Sequence, residues 1–145
     1  VLVATFGSDV WAPVGLGTPM LGPGVAVGTG IFLEAVLTLV LVLVALRAGS
    51  AVGATPTGYG LAAGAAYAAG MLAGWPLTGA AMNPARAFGP ALASGNWTNH
   101  YVYWVGPAIG GVLAALAYGV FAGPRADVPP PDVDEPVAAE MENGS

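Results

Sequence analysis

From Val27 to Leu46 the chain reads VGTGIFLEAVLTLVLVLVAL, a run with one ionisable side chain, Glu34, and with Arg47 directly after it. A helix needs about 20 predominantly apolar residues to cross the hydrocarbon core of a bilayer, so this stretch predicts a membrane span. The composition agrees. Only 8% of the 145 residues are charged and the mean hydropathy is +0.72, where a soluble domain carries about a quarter charged residues. The few charges are also segregated. The cations are Arg47, Arg86 and Arg125, and six of the eight acids, from Asp127 to Glu142, follow the last of them. The net charge of −5 therefore belongs to a tail. A nucleic-acid partner, which would need a basic stripe, is not expected. With no cysteine there is no disulfide framework, thiol nucleophile or soft-metal site.

Two further apolar runs follow. Tyr59 to Trp75 carries Gly60, Gly64 and Ala68 at four-residue spacing, a small-residue stripe of the kind that lets helix backbones approach closely in a membrane. Tyr101 to Ala122 opens with Tyr101, Tyr103 and Trp104, aromatics that suit a membrane interface, and ends just before Arg125. Spans are thus predicted at about 27–46, 59–75 and 101–122. Three helices of alternating direction put Arg47 and Arg125 on one side, which the positive-inside rule makes the cytoplasm. Residues 7–26, rich in glycine and proline without helical periodicity, are then an extracellular connecting loop. Residues 123–145 mix proline with acids and are expected to be a disordered cytoplasmic tail. The chain enters mid-pattern with VLVATF, so 1–6 is expected to be the end of a truncated preceding helix. The whole is expected in the cell membrane as a multi-pass protein.

Pro76 to His100 is too short and interrupted to cross the membrane twice, yet GAAMNPARAFGPALA is too apolar for a plain loop. Non-helical backbone at membrane depth is tolerated only where it is buried in protein or lines a watery cavity. A re-entrant segment is therefore predicted. Asn83 is a good N-cap and Pro84 suits the first helical position, so a short helix should run over about 84–93 with its N-terminus pointing into the membrane.

At these residues the chain resembles the aquaporin family, the major intrinsic proteins, whose hallmark is an Asn-Pro-Ala motif, here Asn83-Pro84-Ala85, followed by Arg86. The resemblance extends beyond the tripeptide. TGAAMNPARAFGPAL after a glycine-patterned span, and NWTNHYVYWVGPAIGG opening the next, match the second half of such channels over nearly the whole chain before the tail. In that family two inverted halves of three spans each bring a half-helix to the midplane, and four channels form a tetramer. The resemblance implies an all-α membrane protein with three transmembrane helices and one re-entrant half-helix over 27–122. That is half of the six-span inverted-repeat fold. Its implied partners are the missing N-terminal half, the lipid bilayer and, when complete, a homotetramer.

The resemblance also implies a site. A helix N-terminus concentrates about half a positive charge on its unpaired N–H groups, and Arg86 adds a whole charge nearby. Exclusion of protons and cations by these two devices is a known property of such channels. An arginine at membrane depth is expensive, about 3 kcal/mol on insertion scales, so a functional reading takes precedence over a snorkelling or structural one. Asn83 can both cap the helix and turn its amide NH₂ to passing water. Glu34, among Ile31, Phe32, Leu33 and Ala35, must be protonated or accept several hydrogen bonds. The resemblance makes it a brace for the re-entrant loop, so that the carbonyls of Gly79, Ala80 and Ala81 line the pore; the competing reading is an ion-binding site. Thr38, one turn on, is expected to bond its own helix's carbonyls.

By the family's spacing the selectivity filter comprises Arg86, Ala80, Met71 and a residue from the absent half. Many water-selective members carry histidine where this chain has Met71, a flexible apolar side chain, which opens the way to solutes other than water. Against that, Ala87 stands where glycerol-conducting members carry aspartate, and Ala91, Tyr103 and Trp104 follow the water-channel pattern. The balance falls to water. Tyr67, four residues before Met71, shares its helix face and either projects into the conduit or packs. His100, in NWTNH, is expected to be solvated and without a role.

These residues imply a passive channel for water, with small neutral solutes as a second class, that uses no cofactor, metal or chemical step. Two rivals stand beside it: a glycerol or small-solute facilitator, and a non-conducting membrane fragment or assembly piece lacking its partner half. An intramembrane enzyme would need a nucleophile and a base within the spans, while the one histidine lies outside them and cysteine is absent.

Overall fold

A computed structural model describes residues 5, 7–51 and 54–121. The helix end expected at 1–6, except for Thr5, and the tail expected at 123–145 lie outside the described residues. Within them every regular element is helical: α1 (Ser8–Trp11), a 3₁₀ turn (Gly15–Gly17), α2 (Val27–Ser50), α3 (Pro56–Thr78), α4 (Pro84–Ser94) and α5 (Val102–Phe121).

Helix α2 continues past Arg47 through Ala48, Gly49 and Ser50, and the arginine in its last turn complements the C-terminal end of the helix dipole. Helix α3 starts on a Thr55 cap, whose Oγ1 accepts from the Gly58 N–H at 3.1 Å, with Pro56 in the first turn. It stops at Gly79, which takes a left-handed φ of +80° and donates its N–H to the Trp75 carbonyl at 3.0 Å. That is the usual glycine exit from a helix. At 1.5 Å per residue α2, α3 and α5 measure roughly 36, 35 and 30 Å, enough for a bilayer core, whereas the 11 residues of α4 measure only about 16 Å.

Two of these helices, α2 and α5, are also apolar enough to cross a membrane, and only 22% of each apolar stretch is buried inside the protein. A soluble core helix would be mostly covered. Helix α3 has the length without that hydropathy, because its glycines, together with tyrosine, tryptophan, proline and threonine, dilute it. Large apolar side chains face outward along all three, among them Phe32, Leu61, Leu72, Leu116 and Phe121.

Helix α2 is the centre of the fold, packing on α5 along one face and on α3 along another. The α2–α5 seam depends on Gly106 and Gly110. A Cβ at Gly106 would stand 2.6 Å from Glu34 Cβ and 2.9 Å from the Ile31 carbonyl oxygen, and one at Gly110 would meet the Ala35 carbonyl and, at 2.9 Å, Thr38 Cβ. Packing at backbone distance is what small residues provide between membrane helices. On α3 the same service comes from Gly70 and Gly74, facing Met82, Leu37 and Ala80. The stripe singled out in the sequence lies elsewhere: Gly60 and Gly64 open onto empty space and Ala68 is exposed. Spacing alone does not distinguish a used stripe from an open one.

Thr38 also departs from expectation. Its Oγ1 is buried at the α2–α5 seam and has no hydrogen-bond partner among the described residues, its own helix's carbonyls included.

Candidate functional site

Of the five residues between α3 and α4, the first four, Gly79 to Met82, are all buried. Ala80 and Met82 have φ of +45° and +51°, a left-handed conformation that costs a non-glycine residue roughly 1–2 kcal/mol. Gly79 beside them is left-handed as well, and a Cβ there would stand 2.9 Å from Pro19 Cα. Backbone of this shape persists only where its surroundings over-determine it.

Glu34 is the main restraint. It is fully buried on α2, and its carboxylate faces donors only. Oε1 accepts from Thr78 Oγ1 at 2.7 Å and from the Ala81 N–H at 3.0 Å, and Oε2 accepts from the Met82 N–H at 2.7 Å. Thr78 extends the network, since its Oγ1 accepts from the Ala80 N–H at 3.1 Å, while its carbonyl accepts from Tyr103 Oη at 2.9 Å. Hydrogen bonds with an ionised partner contribute about 1.5–3 kcal/mol each, enough to offset the strain at Ala80 and Met82. The N–H groups of Gly79 through Met82 are thereby all engaged, and among the described residues no hydrogen bond reaches the carbonyls of Gly79, Ala80 or Ala81. Thr78 and Tyr103 were not singled out as part of this network by their sequence positions; the only hint is that Thr78 directly precedes the loop.

Helix α4 begins as its sequence dictates. Asn83 is extended, and its Oδ1 accepts from the Ala85 N–H at 2.9 Å and the Arg86 N–H at 3.4 Å. Pro84 opens the helix, and Asn83 and Ala85 are exposed. Arg86, in the first turn and only half-buried, donates from Nη1 to the Gly17 carbonyl at 3.4 Å, its one side-chain bond among the described residues. The Gly-Pro segment before α2 is therefore more than a connection. Leu16, Thr18 and Pro19 within it are buried, and its Gly22 N–H caps the Leu77 carbonyl at 2.8 Å.

This arrangement, a short capped helix opening on Asn-Pro-Ala-Arg with its entry loop held by a buried glutamate, comes from a chain whose residues 2–118 match the major intrinsic protein model. The chain belongs to the major intrinsic protein family. It is 45% identical over 131 residues to aquaporin TIP4-1 of Arabidopsis thaliana, covering 85% of this chain and 51% of that protein. It is 44% identical over 125 residues to aquaporin TIP4-4 of Zea mays, covering 85% and 50%. With a protein named probable aquaporin TIP4-2 of Oryza sativa subsp. japonica it shares 49% over 112 residues, covering 72% and 42%. The chain thus spans about half the length of the curated relatives it matches.

Elsewhere in this major intrinsic protein chain, Met71 and Tyr67 lie half-buried on α3, one turn apart, and no hydrogen bond links either to Arg86. His100 differs from its expectation. It is half-buried against Trp97, with ring centroids 4.8 Å apart and edge-on, and it also neighbours Phe88, Tyr103 and Trp104. Its Nε2 is buried without a partner among the described residues. A sequence that reads as an outer loop here packs as an aromatic cluster, because the turn at 97–100 folds Trp97 and His100 together beside α4.

Proposed function

We propose that this chain is the C-terminal half of a passive membrane channel that conducts water, with small neutral solutes as a second class, and that it works with an N-terminal half supplying the rest of the pore. The observation that carries the reading is Arg86. A full positive charge sits in the first turn of a helix too short to cross a membrane, half-exposed, with one long hydrogen bond and no ion pair among the described residues. Placed there, it presents free N–H donors to a passing solute, while its charge and the α4 N-terminus repel cations. Gly79, Ala80 and Ala81 offer carbonyl acceptors, the Asn83 amide offers a donor, and Glu34 is the brace that fixes their direction.

On this reading α2, α3 and α5 are the three spans of one inverted repeat, α4 is its re-entrant half-helix, and four complete channels form a tetramer. The protein sits in a membrane with the end of α5 on the cytoplasmic side, the side of Arg47. Met71, Ala80 and Arg86 form three parts of the filter, and Tyr67 lines the conduit below Met71. The flexible thioether of Met71 supports the second reading, a facilitator that also passes glycerol-sized solutes.

The test is paired stopped-flow water and glycerol permeability in a full-length channel carrying this chain as its second half. Met71→His places a stiffer polar wall at the filter and should lower the glycerol-to-water ratio while water flux continues. Arg86→Val widens the filter and should raise the ratio. A ratio unchanged in both variants would remove these residues from the filter.

A further inference from the structure

We propose that Thr18 and Ser94 form a clasp that positions the Arg86 guanidinium, and so act as positioning residues for solute selectivity. This rests on the filter role proposed for Arg86 above. The segment that receives the arginine is held in a demanding shape. Gly15, Leu16 and Gly17 all have left-handed φ, at +52°, +55° and +77°. For Leu16 that conformation is disfavoured and needs outside support. Part of the support is burial, since Leu16 is 7% exposed. The rest is a directed chain of hydrogen bonds.

Thr18 Oγ1 donates to the Gly15 carbonyl at 2.6 Å, so its only proton is spent there. The 2.8 Å contact between Thr18 Oγ1 and Ser94 Oγ then runs with Ser94 as donor, its proton favouring this short contact over the 3.5 Å one to its own helix's Ala91 carbonyl. Ser94 Oγ in turn accepts from the Asn96 N–H at 3.2 Å. The sequence Asn96 N–H, Ser94 O–H, Thr18 O–H, Gly15 carbonyl has each donor pointing the same way, the arrangement in which hydrogen bonds reinforce one another. Thr18 is 8% exposed, so water competes poorly for its hydroxyl.

The consequence is geometric. The carbonyl that accepts from Arg86 belongs to the peptide unit joining Gly17 to Thr18, so fixing Thr18 fixes the plane of that carbonyl. Ser94 is the last residue of α4 and Arg86 lies in its first turn, roughly 12 Å apart along the helix. The segment is thereby tied to both ends of α4, by the hydroxyl pair at one and by the arginine at the other. The Arg86 bond is long, 3.4 Å and partly exposed, and cannot hold the segment by itself.

The experiment measures water and glycerol permeability of the full-length channel for Thr18→Val, Thr18→Ser, Ser94→Ala, the Thr18→Val/Ser94→Ala double variant and Arg86→Val. Thr18→Val should raise the glycerol-to-water ratio about fivefold, the shift that corresponds to losing one hydrogen bond of about 1 kcal/mol. Ser94→Ala should move it in the same direction, and the double variant no further than Thr18→Val alone. Thr18→Ser, which keeps the hydroxyl, should restore the wild-type ratio, an outcome that a role in folding alone would not tie to the ratio. If Arg86→Val shifts the ratio and neither Thr18→Val nor Ser94→Ala does, the clasp is overturned while the filter stands. If Arg86→Val leaves the ratio unchanged, the filter reading itself falls. Should Thr18→Val fail to reach the membrane, Ser94→Ala decides, because it leaves the Thr18–Gly15 bond in place.

Discussion

Glu34 and Arg86 are both charged residues set in apolar sequence, and the structure treats them in opposite ways. Glu34 is fully buried, with three donors at 2.7 to 3.0 Å, all from this chain. Arg86 is half-exposed, with one bond of 3.4 Å to a carbonyl. A charge whose partners are complete within the chain is part of the framework. A charge left with most of its five donors uncommitted is available to something that is not this chain. Glu34 on α2 thus holds shape, while Arg86 on α4 leaves its donors open.

Substituting Glu34 should give the largest effect. Glu34→Leu leaves the Ala81 and Met82 N–H groups and the Thr78 hydroxyl buried without acceptors, and should cost about 3–5 kcal/mol of stability in detergent micelles, with permeability lost alongside. Glu34→Gln keeps one acceptor oxygen but turns an NH₂ towards a donor, so the loss should be about 1–2 kcal/mol. Hydrogen exchange at the Ala81 and Met82 amides would follow both, faster in the leucine variant. Equal, unimpaired behaviour of the two variants would remove the brace.

Tyr103→Phe should come next. It deletes only the bond to the Thr78 carbonyl, and should lower stability by about 1 kcal/mol, read from the same thermal unfolding. Arg86→Val should have the smallest effect on stability, within about 0.5 kcal/mol, as for surface substitutions away from packed features. A destabilisation by Arg86→Val as large as that of Glu34→Leu would erase the contrast between the two charges.

Much of this is legible in the sequence. The apolar runs gave α2 and α5 because length and hydropathy suffice for a membrane helix, and Asn83-Pro84 marked the start of α4 because cap and first-turn chemistry are local. Glu34 stood out as a buried carboxylate in need of donors. What escaped was non-local. GLGTP reads as a turn, and nothing in it tells that Gly17 will meet Arg86 across 69 positions or Thr18 meet Ser94 across 76. Small-residue spacing occurs at Gly60/Gly64, Gly70/Gly74 and Gly106/Gly110 alike, and only the packed helices tell which pairs are covered. His100 looked solvated because its ring contacts come mostly from residues whose approach depends on how the turn and α4 meet.

The open face of α3 at Gly60 and Gly64, and the outward apolar side chains of α2 and α5, are what a half-channel would leave for lipid and for its missing half. The most direct test of that central claim is osmotic water permeability in reconstituted vesicles, comparing this chain alone with a full-length channel that carries it as the second half. The account predicts that the chain alone matches empty vesicles, while the full-length channel shrinks quickly with a low activation energy. Fast shrinkage from the chain alone, or none from the full-length channel, would contradict it.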